Sequence, residues 1–322
     1  MPAMTLHRIL ADRALDRLPA SWVGIPRWDR RTRSAFYCGA IGPDLGYLPG
    51  GDRFLSDLSH THRTTDLLRA LLRGARSRIQ TAFALGWLTH ILADERVHPL
   101  INYGVGEART GDRSVFIPGA MDPVTHLRVE MGLDAHFARR ERTARGRLVR
   151  SVVLGFEDAR WIASAYRTVY DLPVDPARVL LCLRGSCRMA SGCSIASWGF
   201  AAYHRTPAPA GTRRVWRSLK WGLTRAFLKP LRPTDWLARE VAAVVDGFGD
   251  AFEVEFETLG VRPNFNLDTG RLESDEHDHP TALRTCQALR RIHSAPIGES
   301  LETLLLEPAT AHAVAVLQPR AT

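Results

Sequence analysis

The chain has 322 residues, 45% of them hydrophobic and 24% charged, which excludes a disordered or fibrous polymer and is enough to bury a globular core. A formal net charge of +9 points to anionic partners, whether nucleic acid, an acidic membrane surface or phosphate esters. The five cysteines (Cys38, Cys182, Cys187, Cys193 and Cys286) lack framework spacing, which argues against a disulfide scaffold, and no apolar run has the length of a leader or a membrane span, so a cytoplasmic protein is expected.

Thr5 is placed to cap a first helix starting at Leu6, with Leu6, Ile9, Leu10, Ala14, Leu15 and Leu18 on its apolar face and His7 in its first turn. An arginine-rich connection follows. The segment from Phe36 to Gly51 then runs from apolar residues into Gly42-Pro43-Asp44, a turn signal that presents Asp44 from the end of a buried stretch. Aspartate in a turn ordinarily serves the turn itself, so spacing alone gives Asp44 no further role. His60 and His62 lie just before another helix, capped by Thr64 or Thr65 and buried through Leu67, Leu68, Leu71 and Leu72.

The central stretch, 82–102, reads AFALGWLTHILADERVHPLIN. Phe83, Leu85, Leu88, Ile91 and Leu92 recur at helical spacing. His90, Asp94 and His98 follow one another at steps of four, and each such step shifts a side chain only about 40° around a helix. Imidazole and carboxylate aligned on one face are ligands for zinc or a similar cation. Pro99 disfavours helical geometry at His98 and predicts that the helix ends there, with a polar loop after Asn102. Asp122-Pro123 marks the next helix start, and that helix brings His126 and Glu130 as a second pair at a step of four.

Helical spacing returns over 147–170, Asp175-Pro176 opens a helix running towards His204, and Asp235 or Trp236 opens one ending near Leu259. Between them, 213–229 is a basic amphipathic stretch. Val215, Trp216, Leu219, Leu223, Ala226 and Phe227 fall on one side; Arg213, Arg214, Arg217, Lys220, Arg225 and Lys229 fall on the other. No period-two strand and no repeat is evident. The expected architecture is all-α, a multi-helix bundle over 1–260 followed by a loosely structured extension with short helices over 261–322.

GAIGPD, a histidine before a helix, LGWLTHILADERVHPLIN and HLRVE together resemble the prokaryotic zinc-dependent phospholipase C family over roughly residues 6–134. That family shares a metal-site plan with the single-strand-specific zinc nucleases. The resemblance implies a helical metal-dependent hydrolase. Asp44, His60, His90 and Asp94 would form one metal site, and His98, His126 and Glu130 a second. His7 and a bridging Asp94 would help hold a third. In secreted members an N-terminal tryptophan completes that third site, whereas this sequence begins with Met1 and has no tryptophan before Trp22. The family pattern prefers His60 to His62. Two zinc ions are therefore expected, with residues for part of a third site. Clustered divalent cations neutralise a phosphodiester, activate a water and stabilise the leaving oxygen, and the resemblance makes Asp44 the residue that orients that water or takes its proton.

The expected substrate is a phospholipid or another phosphodiester, with 213–229 as a contact to an anionic membrane surface that would place the enzyme at the membrane periphery. A zinc nuclease is the alternative enzyme. It is disfavoured because aromatic platforms for stacking bases are not evident. A non-catalytic, membrane-associated metal-binding module is the alternative of another class.

Overall fold

A computed structural model describes residues 4–18, 30–47, 51–140, 154–184 and 229–273. In chain order these form α1 (Met4–Arg17), α2 (Arg30–Gly39), a 3-10 turn (Pro43–Tyr47), α3 (Arg53–Thr61), α4 (Thr64–Gly74), α5 (Arg78–Thr110), α6 (Pro123–Arg140), α7 (Phe156–Tyr170), α8 (176–184) and α9 (Asp235–Glu257). A two-residue antiparallel ladder, β1 (Phe265–Asn266) with β2 (Arg271–Leu272), follows. The fold is all-α, as its patterning predicts.

Helix α5 is the axis of the bundle. Ser77 caps it by accepting from the Gln80 N–H at 3.2 Å, and Phe83, Leu85, Leu88, Ile91 and Leu92 are buried along it. It does not end at His98. The helix continues through Pro99 to Thr110, so the predicted stop and the predicted polar loop after Asn102 are both corrected. A proline inside a helix costs on the order of 3 kcal/mol. Beyond it Ile101 and Val105 are buried, each worth roughly 1.5–3 kcal/mol, and Gly104 and Gly106 pack closely, so tertiary burial outweighs the local preference.

Two glycines set how closely α2 crosses α5. A Cβ on Gly39 would stand 1.9 Å from the Phe83 carbonyl oxygen, and one on Gly86 would stand 1.9 Å from that of Phe36. Only glycine permits this reciprocal approach. It brings the end of α2, and the turn carrying Asp44, against the face of α5 that carries His90.

The apolar face of α1 packs against α9, where Leu237, Val241, Val245, Phe248 and Phe252 are buried. Other helix starts differ from expectation. Helix α1 begins at Met4, and Thr5 is not its cap: the N–H groups of Thr5 and Leu6 donate to Asp134 of α6 at 3.0 and 2.9 Å. Helix α4 is not capped by Thr64 or Thr65; Asn264 Oδ1 accepts from the Thr65 and Asp66 N–H groups at 3.0 and 3.1 Å. Asp122 does cap α6, accepting from the Thr125 N–H at 3.0 Å, and Asp175 accepts from the Ala177 N–H at 2.9 Å at the start of α8.

Cys38 and Cys182 are buried and form no disulfide among the described residues. The remaining cysteines, the path from 185 to His204 and the amphipathic stretch 213–228 lie outside the described residues. So does 274–322. The segment 261–273, expected to begin a loose extension, instead packs on the bundle beside α3, α4 and α5. No described helix is long and apolar enough to cross a membrane.

Candidate metal centre

The sequence distributes the eight candidate ligands over α1, the 3-10 turn, α3, α5 and α6, and the fold brings all of them together. Every one is buried, His90 and Asp94 almost completely. Their ligand atoms fall into three groups close enough to hold a metal ion, with atoms within 4.8 Å of one another: His7, Asp44 and His90; His60, His90 and Asp94, which shares His90 with the first; and His98, His126 and Glu130.

Asp94 is the hub. Its Oδ1 lies 3.1 Å from His7 Nε2 and 3.5 Å from His98 Nε2. Its Oδ2 lies 2.9 Å from His90 Nε2 and 3.4 Å from His60 Nε2. His60 Nε2 is also 3.2 Å from Asp44 Oδ1 and 3.2 Å from His90 Nε2. On the other side, Glu130 Oε1 lies 3.0 Å from His126 Nε2 and 3.3 Å from His98 Nε2. His7 stacks on His90 with ring centroids 4.2 Å apart. Asp94 thus joins the two expected ligand sets, and His7 enters the first set from its side.

His62 is placed elsewhere. Its Nδ1 pairs with Glu273, its ring faces Tyr170 and it caps the end of α3, with a side chain about a third exposed. Of the two histidines, His60 and not His62 points into the cluster.

Ring tautomers decide what the cluster can hold. A carbonyl oxygen can only accept, so the ring nitrogen facing it must carry the proton. His60 Nδ1 donates to the Ser56 carbonyl at 2.7 Å, His90 Nδ1 to that of Ala40 at 3.0 Å, and His98 Nδ1 to that of Leu267 at 2.9 Å. Asn102 Nδ2 donates to the Asp268 carbonyl, which turns Asn102 Oδ1 towards His126 Nδ1, 3.2 Å away. Were these four rings neutral, the lone pair of each Nε2 would face carboxylates and other lone pairs. Acceptor would meet acceptor in a dry interior, an arrangement that only protons or a cation can hold together.

The unsatisfied atoms agree. Asp44 Oδ2, Asp94 Oδ2, Glu130 Oε2 and His7 Nδ1 are buried without a hydrogen bond. Asp94 Oδ2 and His90 Nε2 are at hydrogen-bond distance, but their geometry does not make a bond, as expected of two atoms aimed at a shared third point. Imidazole nitrogens and carboxylate oxygens, with the rings of His60, His90, His98 and His126 anchored from behind, fit zinc-class ions.

Charge in the cluster is strongly coupled. Burial alone would push the carboxylate pKa values up. The neighbouring histidines outweigh it and hold Asp94 well below its ordinary range, with Asp44 and Glu130 also lowered. Burial would lower His98, but Asp94 and Glu130 outweigh it and raise it to about 9, and His60 is likewise raised by Asp44 and Asp94 against its burial. Burial prevails at His90, which is lowered. A cation can replace the protons that these carboxylates would otherwise recruit.

Ser56 and Ser59 of α3 steady the turn that carries Asp44: both hydroxyls donate to the Pro43 carbonyl, and the Gly46 N–H donates to Ser56 Oγ at 2.8 Å. Sequence reading missed Asn102, Asp134 and the segment around Leu267. Asp134 had a signal, since it continues the four-residue steps of His126 and Glu130. A family model described as zinc dependent phospholipase C matches residues 6–174, a span that contains all eight clustered residues. No curated protein and no solved structure matches the chain.

Proposed function

Because this chain belongs to the zinc dependent phospholipase C family, we propose that it hydrolyses a phosphodiester, and that its substrate is a phospholipid. The observation that carries this reading is the convergence of lone pairs around Asp94, which joins two ligand sets of the kind that hold zinc. Zinc bound there supplies positive charge to the phosphate oxygens and lowers the pKa of a water.

The protein's own residues do the rest. His60, His90 and Asp94, with His7 beside them, make one side of the site; His98, His126 and Glu130 make the other. Asp44 is the proposed proton acceptor. Its Oδ2 is buried among the clustered residues without a hydrogen bond, and burial, which would raise its pKa, is outweighed by His90 and His60, so it is ionised at neutral pH. The fixed rings need no rearrangement to receive substrate, which favours a preorganised electrostatic contribution.

The test measures bound zinc, release of phosphorylated head group from phospholipid, and cleavage of single-stranded DNA on one preparation. Zinc with head-group release supports the proposal. Zinc with DNA cleavage alone moves the assignment to a nuclease. Zinc with neither activity makes the protein a non-catalytic metal-binding module.

A further inference from the structure

Two consecutive residues outside the span matched by the family model, Leu267 and Asp268, bond to two of the clustered histidines and, through Asn102, reach a third. The Leu267 carbonyl accepts from His98 Nδ1 at 2.9 Å. The Leu267 N–H donates to the carbonyl of His60 itself at 2.7 Å. The Asp268 carbonyl accepts from Asn102 Nδ2, and that amide presents its oxygen to His126 Nδ1. One short strap thus ties α3 to α5 at their ligand positions and, through Asn102 of α5, bears on His126 of α6.

The strap is itself anchored. Arg262 is buried, pairs with Glu95 of α5 and Glu255 of α9, and lies over the Phe265 ring with its guanidinium carbon 4.9 Å from the centroid. Asn264 caps α4, and Thr64 and Thr65 donate to the carbonyls of Phe265 and Pro263. Gly270 closes the turn in a left-handed conformation, φ 70°, against Pro99. A segment fixed this firmly offers its carbonyls in one place, which is what orienting a ring requires.

We propose that residues 262–268 act as a positioning clamp for the metal centre: Arg262 seats the strap, Leu267 holds the end of α3 at the His60 backbone carbonyl and orients the His98 ring, and Asp268 orients the His126 ring through Asn102. This rests on the reading that the cluster holds zinc. Partners that orient a ligand from behind typically change metal affinity about 10–100-fold when removed.

The experiment compares wild type with Asn102→Leu, Arg262→Gln and Arg262→Lys. Zinc retention against a graded chelator is read beside thermal unfolding with and without zinc. Asn102→Leu and Arg262→Gln are expected to release the more weakly held zinc at roughly 10–100-fold weaker chelation. They should lose part of the zinc-dependent rise in melting temperature, and Arg262→Lys should recover part of the retention. A merely structural role would lower the zinc-free and zinc-loaded melting temperatures equally.

Coupling is reciprocal, so zinc must also protect the strap in unaltered protein. Amide exchange of the peptide containing 262–268 should slow on adding zinc to wild type. Unchanged chelator competition in a folded variant overturns the clamp, as does a zinc-indifferent exchange rate in wild type. Wild type that binds no zinc overturns instead the reading on which the clamp rests.

Discussion

Asp94→Asn is the most informative single change in this protein. It keeps size and shape, removes one negative charge and leaves one oxygen as acceptor. Four histidines lie within 3.5 Å of the carboxylate, three of them in the first ligand set or beside it and one in the second. Zinc sites in small proteins are worth about 10–16 kcal/mol, so one ligand in four carries roughly 3 kcal/mol. At about 1.4 kcal/mol per factor of ten, that is on the order of a hundredfold in affinity. Asp94 faces both sets, so the weakening should reach both ions. Glu130→Gln is the control, because among the described residues Glu130 faces the second set, His98 and His126, and should weaken one ion. The assay is zinc content by elemental analysis after equilibration with chelators of increasing strength, with circular dichroism to verify helix content. Asp94→Asn that holds zinc like wild type, or that releases one ion where Glu130→Gln releases two, would refute the hub.

Asp44→Asn should leave helix content and most of the zinc in place while suppressing hydrolysis about a hundredfold or more, since an amide cannot take a proton; wild-type turnover in this variant would return Asp44 to a turn role. Changing Arg213, Arg214 and Arg217 to glutamate should reduce sedimentation with anionic vesicles, each charge being worth about 1 kcal/mol near such a surface; binding indifferent to these changes and to lipid charge removes the proposed membrane contact of 213–229. Asp134 gives a pH signature in zinc-free protein. Burial raises its pKa to about 7, despite the Thr5 and Leu6 N–H groups that favour its ionised form. Unfolded chain ionises it near its ordinary ~3.9, so the folded state holds the proton more tightly and stability falls as pH rises from about 4 to about 7, by at most about 4 kcal/mol. The stability difference between wild type and Asp134→Asn should therefore change over that window and be flat above it; a pH-independent difference in denaturant unfolding rejects the buried neutral acid.

Elements whose determinants are local were legible. The burial of Phe83, Leu88 and Ile91 follows from helical spacing, and Asp122 and Asp175 cap the helices that start beside them. His90, Asp94 and His98 share a face because a step of four is a property of the helix, whatever surrounds it. Elements whose determinants are distant were not. The cap of α1 comes from Asp134 and that of α4 from Asn264, each well over a hundred residues away in sequence. Thr5, Thr64 and Thr65 are good caps locally, and the chain gives those N–H groups a buried partner instead. Pro99 was misread for the same reason: its local preference was outweighed by the burial of Ile101 and Val105 beyond it.

The site divides along the same line. A histidine becomes a metal ligand only when two conditions hold: the residue is in the right place, and its proton is on the other nitrogen. Spacing and family resemblance addressed the first condition for His60, His90, His98 and His126. The second is met at His60 by the Ser56 carbonyl, at His90 by that of Ala40 and at His98 by that of Leu267. Backbone carbonyls are present at every residue and leave no mark in a sequence, so no pattern of side chains could announce them. Two of these acceptors depend on close approaches, α2 against α5 through Gly39 and Gly86, and the strap of 262–268 against α5. The ligand set belongs to the span that the family shares, whereas the tautomer of His98 depends on a segment beyond it. Metal affinity in this chain is accordingly expected to depend on residues that metal-site spacing does not contain.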